Sequence, residues 1–257
     1  MQKQKRIVIS GTYSTGKTTT TTALSLATGI SLVNASSARE ILTSLYPGRR
    51  FQDMDISELM ALGLSRFEQR VKAESILMNH NQSFISDGSV LNEWVYGTVR
   101  LKIGINPGAP VYQQIIKDIL GLPSRSFLAK YMNAYGQVVN QRAKSTYTHV
   151  IHLPIEFPMD PDGHRPVSER YRRLSDIEIA KTFKGYHIPF YTVGGSQRER
   201  VAKIINLLHL PQVMPVAQAV EMANEVIRKS RDMVSQKMIE QYHKPSFKEK
   251  IKILSHF

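Results

Sequence analysis

The sequence predicts an α/β protein: a parallel sheet of five strands, helices on both faces, and a helical extension at the C-terminal end. Three observations predict it. Along residues 6–208 short apolar runs alternate with longer stretches of helical periodicity, the pattern of strands joined by crossover helices. A glycine-rich turn follows the first apolar run and opens a helix. Beyond Pro211 the strand-like runs give way to apolar residues at helical spacing. With 257 residues, 42% of them hydrophobic, the chain can bury one large core. It divides into an α/β domain over 1–210 and a helical extension over 211–257.

Taken in order, Arg6-Ile7-Val8-Ile9-Ser10 reads as a short buried strand. The turn after it leads into a helix at Lys17. Thr18 to Thr22 are poor helix formers because β-branching restricts χ1, so that helix needs tertiary support or a ligand. Ile30 to Asn34 is a second strand, leading through Ser36-Ser37 into a helix over Ala38 to Leu45. Apolar residues at Leu59, Leu62, Phe67, Val71 and Ile76 predict one long helix over Ile56 to Met78. Ser83 to Asp87 is a third strand ending in an acid, residues 111–143 are mainly helical, and Tyr147 to Leu153 is a fourth strand. Ile177 to Phe183 is a helix, Ile188 to Val193 the fifth strand, and Val201 to Leu208 the closing helix. In the extension Val216, Val220, Ala223, Ile227, Val234 and Met238 mark one apolar helix face, a surface for packing or for self-association of the chain.

Composition removes several chemistries. There are no cysteines, so disulfides, thiolate metal sites and cysteine nucleophiles are excluded. No apolar stretch approaches the length of a membrane span, and the first apolar run is too short for a signal sequence, so a cytoplasmic protein is expected. The formal net charge is +13, with seven basic residues to one acidic over residues 1–50. Such a surplus suits a polynucleotide or a small polyanionic ligand. The aromatic–basic interleaving of single-strand binding surfaces is missing.

The motif that carries chemistry is Gly11-Thr12-Tyr13-Ser14-Thr15-Gly16-Lys17-Thr18, which satisfies G-x-x-x-x-G-K-[ST] between a hydrophobic strand and a helix. Glycine lets the backbone curl so that successive N–H groups meet phosphate oxygens at the positive end of a helix. Lys17 brings a mobile charge to the β- and γ-phosphates, and the Thr18 hydroxyl is a hard oxygen ligand for Mg²⁺. Thr19 completes the candidate nucleotide site. The expected ligands are Mg²⁺ and a nucleoside triphosphate, ATP or GTP. No N-K-x-D guanine motif and no Asp-Glu pair occur in the chain, which argues against a GTPase switch and against ABC or AAA+ motors.

Further candidates surround this loop. Asp87 closes the third strand, where a carboxylate can hold Mg²⁺ or take the proton of an attacking hydroxyl. A turn-forming Asp before Gly88 is the plainer account of the same residue. Arg39 and Glu40 open the second helix as candidate acceptor contacts, or simply as a solvated helix start. Arg165, Arg170, Arg172 and Arg173 follow Asp162-Gly163. They could close over a triphosphate, with Arg165, Arg170 and Arg173 as the catalytic candidates, or form an ordinary basic surface. Arg198 follows Gly194-Gly195-Ser196 at the end of the fifth strand, where a nucleotide base can rest.

These pieces in this order resemble the small-molecule kinase branch of P-loop proteins. The match is to the ribosylnicotinamide kinase domain of the bacterial bifunctional NAD-biosynthesis regulator and the AAA-type ATPase families grouped with it. It spans residues 6–208. It is carried by the P-loop, Ser37-Ala38-Arg39-Glu40, Met60-Ala61-Leu62-Gly63, Phe84-Ile85-Ser86-Asp87, Asp162-Gly163-His164-Arg165-Pro166 and Ile188-Pro189-Phe190-Tyr191. The resemblance implies a three-layer sandwich of the nucleoside-monophosphate-kinase type. It also implies Asp87 as catalytic carboxylate, an acceptor site bordered by Arg39-Glu40, and a lid over Arg165 to Arg173. The family typically places a second acid shortly after Asp87, where this chain reads Gly88-Ser89-Val90-Leu91-Asn92-Glu93. The expected reaction is γ-phosphate transfer to a hydroxyl of a small nucleoside-like molecule. The rival expectations are a nucleotide-dependent switch that holds a protein partner and a polynucleotide 5′-hydroxyl kinase.

Overall fold

A computed structural model describes residues 4–51, 54–104, 122–159 and 168–242. In chain order the described elements are β1 (Arg6–Ser10), α1 (Lys17–Thr28), β2 (Ser31–Leu32), α2 (Ala38–Leu45), α3 (Ile56–Asn79), β3 (Phe84–Asp87) and α4 (Asn92–Ile103). There follow α5 (Leu122–Thr146), β4 (His149–His152), α6 (Glu169–Lys184), β5 (Phe190–Thr192), α7 (Gln197–Leu208) and α8 (Val216–Gln241). The described strands form one parallel sheet in the order β2-β3-β1-β4-β5.

Strand alternation sorts the core into two layers. Val8, Phe84 and Val150 face one side and pack with Val95 and Tyr96 of α4, Val139 of α5, and Ile179 and Phe183 of α6. Ile7, Ile9, Ile85 and Ile151 face the other, against Ala23 and Ala27 of α1, Val201 and Ile204 of α7, and Ala219 and Ala223 of α8. This is the expected three-layer sandwich. A smaller cluster of Ile41, Leu42, Phe51, Met54 and Leu62 lies between α2 and α3, with Met238 of α8 packed on it.

The tertiary support that α1 requires is visible. Thr19, Thr20 and Thr21 are buried, and the Thr21 hydroxyl donates to the Lys17 carbonyl at 2.7 Å. Small residues four apart on both partners, Ala23 and Ala27 on α1, Ala219 and Ala223 on α8, let the two helices share one fully buried cluster. The Val213 N–H donates to the Ala27 carbonyl at 2.8 Å and ties the start of the extension to the end of α1.

Several boundaries differ from expectation for physical reasons. Helix α6 begins at Glu169 rather than Ile177, because the Ser168 side chain accepts from the Tyr171 N–H at 3.2 Å and caps a first turn rich in arginine. Helix α7 begins at Gln197, where Ser196 and Glu199 form a capping box. Strand β2 is two residues long, although the Val33 N–H still donates to the Ile85 carbonyl at 2.9 Å. Helix α4 had no sequence expectation. The expected helical stretch over 111–143 is described from Leu122, and the part before it lies outside the described residues.

Candidate active site

The P-loop joins β1 to α1 at the carboxyl edge of the sheet. Gly11 has φ 140°, and a Cβ there would stand 2.7 Å from the Leu153 carbonyl oxygen, so the turn leaves room for glycine alone. Gly16 caps α1 in the left-handed region with φ 81°. The Lys17 ammonium folds back and donates to the Thr12 carbonyl.

Two buried arginines fix the loop from behind. Arg172 of α6 donates to the carbonyls of Tyr13 (2.9 Å), Ser14 (3.2 Å) and Phe157 (2.8 Å), and pairs with Glu169 at 3.1 Å. Arg200 of α7 donates to the Thr15 carbonyl and to Glu156 and lies over the Phe157 ring. Each peptide here is trans. Holding the carbonyls of residues 13, 14 and 15 therefore turns the N–H groups of Ser14, Thr15 and Gly16 to the opposite side. The arrangement presents donors toward a phosphate while satisfying the acceptors. Arg200, and next the Gly195 N–H, hold the Glu156 carboxyl below its ordinary value.

Asp87 reaches the loop from β3. Its neighbour in the register is Ile9, and the Thr18 hydroxyl donates to Asp87 Oδ2 at 2.7 Å. Behind it Arg70 donates to the Asp87 carbonyl (2.9 Å), the Gly88 carbonyl (3.2 Å) and the Ser86 hydroxyl (2.7 Å). The Tyr147 hydroxyl accepts from the Val90 N–H at 3.0 Å and donates to buried Glu74 at 2.8 Å. Burial pushes the Glu74 carboxyl up, against the opposing pull of Arg70 and the Tyr147 hydrogen bond. The end of β3 is thus locked by a buried polar network rather than left to the turn.

A cleft opens between α3, α4 and α5. Its apolar wall includes Ile56, Leu59, Met60 and Leu128, its aromatic wall Tyr131 and Tyr135, and its charged side chains are Glu93 and Arg100. Glu93 pairs with Arg66. Burial works against the Arg66 charge, but Glu93, then Tyr13, Tyr96 and Asp87, outweigh it and raise the guanidinium. Arg66 therefore links the electrostatics of the cleft to Asp87. The P-loop side chain Tyr13 stacks on Tyr96 with ring centroids 4.6 Å apart.

The other sequence candidates are dispersed. Glu40 accepts from the Ser37 N–H at 2.6 Å in a capping box, and α2 lies against α3 rather than on the cleft wall. Arg39 starts the same helix and is half-buried. Arg198 pairs with Glu221 of α8 at 2.8 Å on the surface. Arg170 and Arg173 are exposed on α6, and Arg165 lies outside the described residues. Sequence reasoning passed over Arg66, Arg70, Glu93, Arg100 and Arg200 and left Arg172 out of the catalytic set.

The oxygen donors suit Mg²⁺. Thr18 offers a hydroxyl and Asp87 a carboxylate at one point beside the loop, and the ion commonly takes one or two protein oxygens, phosphate oxygens and water. No group of three or more acidic or histidine side chains able to hold a metal occurs among the described residues. None of the helices is long and apolar enough to cross a membrane, among the described residues.

A five-stranded parallel sheet with the P-loop between β1 and α1 defines a P-loop NTPase α/β fold of kinase-like order. The AAA domain family model matches residues 6–200, and the chain belongs to that family. Among solved structures it is similar to deoxyadenosine kinase from M. mycoides with bound dATP, at 17% identity and a TM-score of 0.56 over 79% of this chain and 99% of that one. The same enzyme with products dCMP and a flexible dCDP bound gives 16% identity and a TM-score of 0.52, over 79% and 98%. At this identity the likeness speaks to the fold. No curated protein matches the sequence.

Proposed function

We propose that the protein is a small-molecule kinase that transfers the γ-phosphate of Mg·ATP (or Mg·GTP) to a hydroxyl of a nucleoside-like acceptor held in the α3–α4–α5 cleft. The observation that carries the reading is the Thr18–Asp87 contact at 2.7 Å, with α4, one wall of the cleft, starting five residues after Asp87. The metal-side hydroxyl, the candidate base and the acceptor wall thus belong to one short stretch of structure. A motor ATPase carries a second acid directly after the strand, and Gly88 stands there instead. The structural neighbours act on deoxynucleosides by name, which supports an acceptor of that class.

Asp87 accepts the acceptor's hydroxyl proton as its oxygen attacks the γ-phosphorus. The bond from that phosphorus to the bridging oxygen breaks and ADP leaves. Bound Mg²⁺, held by Thr18 and Asp87, would supply charge neutralisation on the phosphate oxygens. Lys17, released from the Thr12 carbonyl, meets the β- and γ-phosphates. Arg172 and Arg200 keep the loop in its donor-presenting shape. Arg170, Arg173 and Arg165 remain candidates for closing over the triphosphate, and Arg39 and Glu40 for the outer rim of the acceptor site. The test is ADP formation with and without a panel of nucleosides and related metabolites. A panel in which no compound raises the basal rate would leave a nucleotide-dependent switch in its place.

A further inference from the structure

We infer that the acceptor carries a fixed anionic group, a phosphate monoester or a carboxylate, and that Arg100 receives it at the inner side of the cleft. This rests on the kinase reading above. Of the two charged side chains that line the cleft, Glu93 already has its partner in Arg66. Arg100 has none of that kind. Its Nε is buried without a hydrogen-bond partner, and among the described residues no carboxylate lies within ion-pair distance of its guanidinium. Its charge rests over the Tyr171 ring, 5.5 Å from the centroid.

The chemistry of arginine makes this arrangement informative. A buried lysine can relieve an unmatched charge by losing its proton, whereas a guanidinium keeps its charge in proteins. A buried polar group without a partner is costly in apolar surroundings. The surroundings raise the Arg100 guanidinium despite burial, through Tyr171, then Tyr13, Glu93 and Tyr96. The site is therefore cationic without a ligand. A planar fork of five N–H donors matches a phosphate or carboxylate two bonds at a time. Ile56, Leu59 and Met60 would cover the apolar part of the same ligand.

Arg100 lies over the Tyr171 ring, while Asp87 accepts from Thr18 beside the P-loop. The anion and the reacting hydroxyl are different groups of the acceptor. The anion is held and not changed: the bond made is from the hydroxyl oxygen to the γ-phosphorus, and the proton goes to Asp87. A cationic acceptor such as ribosylnicotinamide would put its positive ring in a cleft that already holds an unmatched cation.

The experiment compares nucleosides, their 5′-monophosphates and their 5′-carboxylates as acceptors for wild type, Arg100→Met and Arg100→Lys. The readouts are acceptor KM and kcat from ADP release, and thermal shift with each compound in the absence of ATP. We expect one anionic series to act at lower KM than its neutral counterparts, and which series does so identifies the anion. Arg100→Met should raise that KM roughly 30- to 5,000-fold, the range for truncating one partner of a buried charge pair. It should also abolish the thermal shift by the compound, with Arg100→Lys restoring part of both. Neutral nucleosides used at equal or lower KM would overturn the inference, as would Arg100→Met raising the KM of Mg·ATP instead of the acceptor's. No acceptor-stimulated ADP release at all would sink the kinase reading. The thermal-shift arm still decides the anion site in that case, because stabilisation by monophosphates or carboxylates that Arg100→Met retains refutes it.

Discussion

Replacing Arg200 with methionine tests whether the P-loop is held in shape from behind. The side chain is fully buried, 2.5 Å from the Thr15 carbonyl oxygen and 2.5 Å from Glu156, with its guanidinium 4.9 Å from the Phe157 ring centroid. Methionine keeps most of the volume and removes the donors. Breaking a buried ion pair from one side costs about 3–5 kcal/mol, but the Glu156 side chain is 36% exposed and water can take over part of its solvation. Stranding the Thr15 carbonyl adds about 1–3 kcal/mol. Discounting the ion pair for that exposure leaves a net loss of about 2–4 kcal/mol. For a protein of this size that lowers Tm by roughly 4–16 °C. The loop should also present its N–H groups less well, so nucleotide affinity should fall by about tenfold or more for each 1.4 kcal/mol of lost preorganisation. Thermal melts and nucleotide titration measure both effects. A double-mutant cycle with Glu156→Gln then isolates the ion pair. A Tm within about 1 °C of wild type (below the roughly 2–4 °C that even 1 kcal/mol produces) together with unchanged nucleotide affinity would refute the clamp.

Three further outcomes follow from the site. Lys17→Ala should remove triphosphate-dependent turnover while the melting curve without nucleotide stays that of wild type; full turnover at saturating Mg·ATP would exclude the P-loop as the donor site. Asp87→Asn should slow transfer by roughly 10²–10⁴-fold, the usual range for a general base, and acceptor-stimulated ADP release that survives the change would remove Asp87 from the mechanism. The Glu156 carboxyl sits below its ordinary value of 4.5 when folded. Its contribution is thus complete above that pH and disappears as pH falls through the lower folded value. The acid limb of wild-type stability should accordingly flatten in Arg200→Met, and superimposable acid limbs would count against the pairing.

The sheet, the P-loop and Asp87 were legible in the sequence because each is encoded locally. The loop motif fixes residue types at set spacings, and strand alternation needs only neighbouring residues. The clamps were not, because Arg172 and Arg200 bind backbone carbonyls 158 and 185 residues away, and a carbonyl carries no residue identity to search for. A weaker signal was present. Arg172 stands in register with buried Ser175, Ile179 and Phe183, and Arg200 adjoins the stripe of Val201, Ile204 and Leu208. An arginine on an apolar helix face asks for buried acceptors, while Arg170, Arg173 and Arg198, rotated off those faces, reach solvent or the surface partner Glu221. Two residues on a helix span about 200°, so Arg198 and Arg200 lie on opposite sides of α7, and Arg200 is the one that reaches the loop. Glu93 was readable as an acid six residues after Asp87, but its position on the cleft depends on where α4 begins.

The same rotation changes what the net charge of +13 means. Read as surface, a basic surplus of this size points to polyanionic partners such as nucleic acid. Arg70, Arg172 and Arg200 are buried, however, and each spends its donors on backbone carbonyls, Glu156, Glu169 or the Ser86 hydroxyl at the carboxyl edge of the sheet. A P-loop turns its N–H groups toward a phosphate and so must find other partners for its carbonyls, and a guanidinium with five donors can satisfy two or three at once. Part of the charge is therefore the internal cost of building an anion-binding loop. Arg100 lines the cleft as well, so a further part of the charge serves a pocket rather than a strand-length track. On that argument binding to oligonucleotides should be weak. A log–log slope of affinity against salt approaching zero fits the pocket, whereas a slope reporting several released counterions would restore the polynucleotide reading.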